Sequence, residues 1–394
     1  MVNYSLNSEQ RDEVPNTYGF FVSPNELETE ESVKASVARR REQKWLDMFA
    51  RWSSFIESRF DEVKRRCRKA RRREQKWLDM FARWSAFIES RFDKVKTRCR
   101  KGIPPSVRGQ GWYHLSAAKY RHENADRNCP TGSVFNLYLT QTPTLNVLED
   151  IKKDLARSFP DHEMFRDNGC GQESLFDVLK AYAVHDPAVG YCQAQAPIAA
   201  ILLMHLPPEQ AFWVFVQINE EYVKGYFSDG LMAVKEDALA TELLIQRVSQ
   251  RGYRLLRKLD VDPILYTLDW YMTLFSRTYR APQLFRIWDM FFCEGVKVLF
   301  RLALVILRET LDVGPPDIVT KAHKCDNAMD LIALIKQTAK SLPFDVLLIK
   351  MDKLPLTDID LAQACGQARQ QLNSDLNTTN NRKTSSRAQA KKHK

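Results

Sequence analysis

Two short stretches hold the residues whose types and spacing point to chemistry. They are Ile151-Lys-Lys-Asp154-Leu-Ala-Arg157-Ser-Phe-Pro160 and Gly190-Tyr191-Cys192-Gln193. In the first, an arginine stands three residues after an aspartate, on a helix that Ser158-Phe159-Pro160 must stop. The stop follows because proline disfavours helical geometry in the residue before it. In the second, a side-chain amide sits after the turn Asp186-Pro187-Ala-Val-Gly190 and before the apolar run Ala196 to Leu206. A permanently charged planar fork and an amide are what attack of water on a phosphoryl group needs. The fork neutralises charge on the transferring group, and the amide orients the water. Each residue alone has a plainer explanation. An Asp–Arg pair three apart on a helix is commonly a surface ion pair worth under about 1 kcal/mol, and a glutamine at a helix boundary commonly caps backbone groups. Cys192 and His185 suggest a thiol and a base, but nothing in the sequence supplies a third group to orient them.

The elements that must hold these residues read as helices. Apolar side chains recur at spacings of three and four over Ser174–Val184, Pro208–Val223, Leu239–Leu259, Pro263–Ser276, Ala281–Phe292, Val296–Leu311 and Ala328–Thr338. Pro208, Pro263 and Pro282 suit helix first turns. Strand-like alternation bounded by Asn-Gly turns is missing, so the expected fold class is all-α. At 394 residues, with 44% hydrophobic and 11% aromatic content, the chain can bury a large core.

The net charge of +10 is unevenly placed. Residues 38–101 carry 22 basic and 9 acidic side chains, residues 372–394 come to +5, and residues 1–37 to −5, leaving −3 for residues 102–371. The basic character therefore belongs to the periphery. The eight cysteines show no CxxC spacing and no zinc pattern. No apolar run reaches the length of a membrane span, and Met1–Arg11 lacks the apolar core of a signal peptide. The expected setting is cytoplasmic, with reduced thiols.

Residues 38–69 and 70–101 are a tandem repeat, identical at 29 of 32 positions. Each copy reads as one amphipathic basic helix. In the second, Trp77, Met80, Phe81, Trp84, Phe87, Ile88, Phe92 and Val95 form the apolar stripe. The second copy runs into Gly102-Ile103-Pro104-Pro105, a sharp helix stop, and so should be the one that packs. The joint Lys64–Arg73 is strongly basic. It fits a solvated helix end, with acidic membrane as a secondary contact. It lacks the interleaved aromatics of a nucleic-acid surface, and no nucleic acid is expected as partner. Residues 1–37 and 346–394 read as polar tails, the first acidic, both disordered in composition.

Four motifs in order carry a resemblance. Ile103-Pro104…Arg108…Trp112, Ile151…Asp154…Arg157, Tyr191-Cys192-Gln193 and Arg286-Ile-Trp288-Asp289-Met-Phe291-Phe292-Cys-Glu294-Gly295 resemble the IPxxxRxxxW, IxxDxxR, YxQ and RxWDxFFxEG motifs of TBC domains, the Rab GTPase-activating family. Lys76-Trp77-Leu-Asp-Met80 and Tyr18-Gly19-Phe20 further resemble its Whacked-like subfamily. Where many members have Gly-Met-Asn after YxQ, this chain has Ala194-Gln195-Ala196.

The resemblance implies a two-lobed helical TBC domain over residues 102–345. It implies a GTPase activator that lends catalytic Arg157 and Gln193 in trans to a GTP-bound Rab in vesicle trafficking, rather than a stand-alone enzyme. Asp154 would hold the arginine in place, and Tyr191, Arg108, Trp112, Trp288 and Asp289 would be supporting residues. No cofactor or metal is expected of the chain, since Mg²⁺-GTP arrives with the Rab. Peripheral attachment to endomembranes or plasma membrane through the basic helices would be accessory. The rival readings are a non-catalytic Rab-binding scaffold and a basic-helix binder of membrane or nucleic acid.

Overall fold

The computed structural model describes residues 14–15, 21–22, 52–166 and 170–390. The fold is all-α apart from a two-residue antiparallel pairing of β1 (Val14–Pro15) with β2 (Phe21–Val22). The remainder of the acidic segment 1–37 lies outside the described residues, as does the first half of the first repeat copy.

The helices follow in chain order: α1 (Trp52–Phe81), α2 (Trp84–Arg100), α3 (Arg108–Leu115), α4 (Ala118–Arg127), α5 (Val134–Leu139), α6 (Leu145–Leu155), α7 (Cys170–His185), α8 (Gln195–Leu203) and α9 (Pro208–Gln217). After a π turn at Ile218–Tyr222 come α10 (Met232–Val248), α11 (Gln250–Lys258), α12 (Ile264–Met272), α13 (Ala281–Glu294), α14 (Lys297–Leu311), α15 (Pro316–His323), α16 (Ala328–Ser341), α17 (Phe344–Lys353) and α18 (Asp358–Ala390). Helices α4 to α9 pack on one another as a first lobe, and α10 to α18 as a second. Helix α13 joins them, lying against α2 and α3 on one side and α14 on the other. Trp112, Trp213, Trp270 and Trp288 are among the largest fully buried side chains.

Several helix ends have local causes. Pro208, Pro282 and Pro316 occupy first-turn positions. Asn327 caps α16 by accepting the Asp330 amide at 2.9 Å. Ser249 breaks the single helix expected over Leu239–Leu259. Its backbone is extended, and its hydroxyl caps α11 by accepting the Gly252 amide at 3.2 Å. The stop after α2 uses Gly102 at φ +84°, where an added Cβ would meet the Arg286 side chain at 2.5 Å.

The repeat does not fold as one helix per copy. Helix α1 runs across the joint between copies, from the first into the second. It ends at Phe81, a turn at 82–83 follows, and α2 is itself kinked at Arg91. The kink lets Val95 and Cys99 enter the core while Phe92 turns outward, which a straight stripe does not anticipate. The C-terminal reading also changes. Residues 344–353 form α17, and α18 lies along α10 with Ala364 and Ala368 fully buried. The packed body therefore reaches at least Ala368, past the boundary expected at 345. Its fully buried residues are alanines, so hydropathy signals the contact only weakly.

Candidate functional site

Helix α6 ends at Leu155, and Arg157 follows on the turn beyond it. Two residues on, Phe159 adopts φ +53°, a left-handed geometry that a bulky residue holds only when its surroundings enforce it. The reversal before Pro160 directs the chain away and leaves the arginine at a corner. Its backbone anchor is short, since Ser158 Oγ donates to the Asp154 carbonyl at 2.6 Å. On the second segment, Gly190 at φ +60° turns the chain toward Tyr191, and α8 starts at Gln195.

These two corners meet. Asp154, 3% exposed, accepts an ion pair from Arg157 Nη2 on Oδ1 and a hydrogen bond from the Tyr191 hydroxyl on Oδ2, at 2.5 Å. Burial first, then the neighbouring carboxylate, raises the Tyr191 phenol far above its ordinary range, so it stays a proton donor. With the Gln193 amide oriented by its partners, Oε1 accepts from Arg157 Nη2 at 3.0 Å and Nη1 at 3.2 Å. Arg157 remains about half exposed and Gln193 exposed. The buried carboxylate and phenol thus fix one side of a guanidinium whose other side faces outward beside an amide. Both groups line a cleft of about 270 Å³ with Ser158, Phe159, Pro160, Asp161, Pro197, Ser276 and Arg277.

Gln195 takes no part. It is fully buried, accepting the Cys192 amide at 3.0 Å and donating to Asn219 Oδ1 at 3.1 Å. His185 is likewise committed, to Glu220 at 2.7 Å and Tyr138 at 3.2 Å.

Arg108, Trp112 and Asp289 form a second cluster. Fully buried Asp289 accepts from the Ile103 amide (2.7 Å), Arg108 Nε (3.2 Å) and Trp112 Nε1 (2.9 Å), while Arg108 Nη2 donates to the Ile103 carbonyl at 2.8 Å. Burial raises the Asp289 carboxyl to about 6 despite the opposing Arg108 charge. This cluster ties the start of the domain to α13 rather than touching residues 157–161 directly. Its route to the cleft runs through α8. The ring of His205, just beyond the end of that helix, lies edge-on to Trp112 at 4.8 Å, and an added Cβ at Gly109 would meet the His205 carbonyl. Trp288 acts elsewhere, donating to the Leu274 carbonyl at 3.1 Å.

That last bond bears on two cleft residues that motif reading overlooks. Leu274 and Phe275 both hold left-handed backbone, φ +49° and +63°, and the turn they make delivers Ser276 and Arg277 to the cleft. The advance signal is slight, a polar pair directly after the aromatic-rich stretch Tyr266–Phe275. Elsewhere, His122, Asp126 and Glu209 are grouped with metal-ligand spacing among the described residues, but they line no part of this cleft. They partner one another and Tyr113, whose hydroxyl lies 2.5 Å from His122 Nδ1. Among the described residues no helix is long and apolar enough to cross a membrane, and all eight cysteines are free.

Comparison with known proteins identifies the family of the chain. Residues 105–312 match the Rab-GTPase-TBC domain family. The mouse protein TBC1 domain family member 10B is 44% identical over 331 residues, covering 84% of this chain and 36% of its own length. The Drosophila melanogaster protein TBC1 domain family member whacked is 45% identical over 272 residues, 69% of this chain and 64% of its own length. This chain thus spans about a third of the mouse relative. A crystal structure of the Chlamydomonas flagellar RabGAP TBC domain matches with TM-score 0.56 and 26% identity, over 72% of this chain and 93% of that one. The chain belongs to the Rab-GTPase-TBC domain family.

Proposed function

We propose that this protein accelerates GTP hydrolysis by a Rab-family GTPase, inserting Arg157 and Gln193 together into the partner's nucleotide site. The observation that carries the reading is their direct contact, 3.0 and 3.2 Å between guanidinium and amide oxygen, at an open cleft. Two groups that touch can reach two atoms of one reaction centre. Arg157 would neutralise charge on the β/γ-phosphate oxygens, and Gln193 would hold the attacking water. Asp154 and Tyr191 orient the arginine from the buried side, so it loses little rotamer freedom on engagement. An arginine finger contributes about 10³–10⁵ in rate, roughly 4–7 kcal/mol of barrier. Mg²⁺ and GTP would enter with the GTP-bound Rab.

The setting proposed is cytoplasmic and peripheral to membranes, with the exposed basic stretch of α1 at Arg65, Arg68, Lys69, Arg71 and Arg72 drawn to acidic lipid. Single-turnover GTP hydrolysis across a panel of Rabs tests the mechanism. Arg157→Lys and Gln193→Ala should each lose most of the acceleration, and full activity in both would sink it. Binding of GTP-loaded Rab without acceleration by the wild type would favour the scaffold reading.

A further inference from the structure

We propose that Arg277 and Ser276 form a further recognition element of the cleft, gripping an oxyanion of the nucleotide-loaded GTPase beside the two fingers. The proposal rests on the GTPase-activator reading above. Arg277 lines the same cleft as Arg157 and Gln193 but comes from the α12–α13 connection, a different part of the chain. Its ion pair with Asp269, at 3.8 Å, joins two side chains that are both nearly half exposed. Such a pair is too weakly held to be the reason the arginine is placed there.

Ser276 is 5% exposed, and its buried hydroxyl oxygen has no hydrogen-bond partner. A buried hydroxyl left unpaired is destabilising, so its presence at a cleft wall calls for a ligand. Rotation about one side-chain bond turns it toward an incoming oxygen. The backbone that presents the pair is strained at two successive residues, Leu274 and Phe275, and Trp288 pins it through the Leu274 carbonyl. A donor hydroxyl next to a cation, on a backbone held at Leu274, suits a phosphate or a carboxylate. The oxyanion belongs either to the nucleotide or to the acidic surface of the GTPase around it.

The test is steady-state hydrolysis with the full chain and the Rab it best accelerates, comparing wild type, Arg277→Ala, Ser276→Ala and Arg157→Ala, with melting temperatures as a folding control. Loss of one charge-assisted contact corresponds to about tenfold. A rise of that size in KM for Arg277→Ala, with kcat nearly constant, places the oxyanion on the GTPase surface. A comparable fall in kcat at constant KM places it on the nucleotide phosphate. Ser276→Ala should shift the same parameter by a smaller factor while melting no earlier than wild type, an outcome a merely structural serine does not give. If neither variant moves KM or kcat by more than about twofold while Arg157→Ala is inactive, this proposal fails and the finger reading stands. A wild type that accelerates no Rab overturns both.

Discussion

Replacing Tyr191 by phenylalanine isolates the buried side of the arginine's mount. The ring stays, and only the hydroxyl that donates to Asp154 Oδ2 at 2.5 Å is removed. Asp154 is 3% exposed, so water does not readily replace the lost donor. A buried, charged acceptor deprived of its partner costs about 2 kcal/mol. In a body of this size that lowers the melting temperature by about 3 °C. The kinetic effect follows from geometry. With Oδ2 unsatisfied, the carboxylate is free to chelate Arg157 with both oxygens, drawing the guanidinium inward and away from Gln193. Single-turnover hydrolysis of Rab-bound GTP should therefore fall about tenfold, mostly in kcat, while affinity for the GTP-loaded Rab changes little. A variant matching wild type in both melting temperature and kcat would refute the idea that Tyr191 and Asp154 set the arginine's direction.

Asp289→Ala, which strips the partner from Arg108, Trp112 and the Ile103 amide at once, should destabilise the fold by about 3–5 kcal/mol; chemical denaturation measures it. Burial, aided by the Arg108 charge, lowers the His205 ring to about 3. Its unfolded form takes up a proton near pH 6.5 that the folded form refuses, so its contribution to stability is complete above pH 6.5 and declines on acidification. Asp289, raised to about 6, acts with the opposite sign between about pH 4 and 6. The check is therefore the difference between wild type and His205→Phe. The variant should lose less stability on acidification from pH 7 to 5, and identical slopes would dismiss the assignment. Deleting residues 38–69 should leave hydrolysis unchanged, because the described side chains of that copy are exposed. Truncation before Asp358 should lower the melting temperature, since it uncovers the α10 face on which Ala364 and Ala368 are buried and removes the Arg369–Glu236 ion pair. An unchanged melting curve would show that α18 is dispensable to the body.

What was legible in the sequence, and what was not, divides along physical lines. Apolar periodicity reports burial of large side chains, so the body helices are readable from Ser174 to Thr338. Proline and glycine report backbone restriction, so Pro160, Gly102 and Gly190 mark the right corners. The pairing of Asp154 with Arg157 and the meeting of Arg157 with Gln193 follow motifs whose spacing is visible. Contacts made by alanines, as in α18, carry too little hydropathy to see. Breaks at Ser249 and at 82–83 interrupt periodic runs without a proline or glycine. The turn bearing Ser276 and Arg277 is hidden most deeply, because leucine and phenylalanine in left-handed geometry leave no trace in residue type. Arg108 and Trp112 illustrate another limit. Their importance is readable, but their partners, Asp289 and the end of α8, depend on packing.

Helix α1 has an architectural consequence. Thirty residues long, it rises about 45 Å, yet its buried described side chains, Trp77, Met80 and Phe81, all lie in its last two turns. Its described anchorage is at the C-terminal end, among residues Trp77 to Phe81. The exposed stretch from Arg68 to Arg72 is therefore a natural graft point. A fluorophore or epitope placed there would sit on exposed helix outside the residues that line the cleft, and would report the orientation of the molecule on a GTPase or a vesicle.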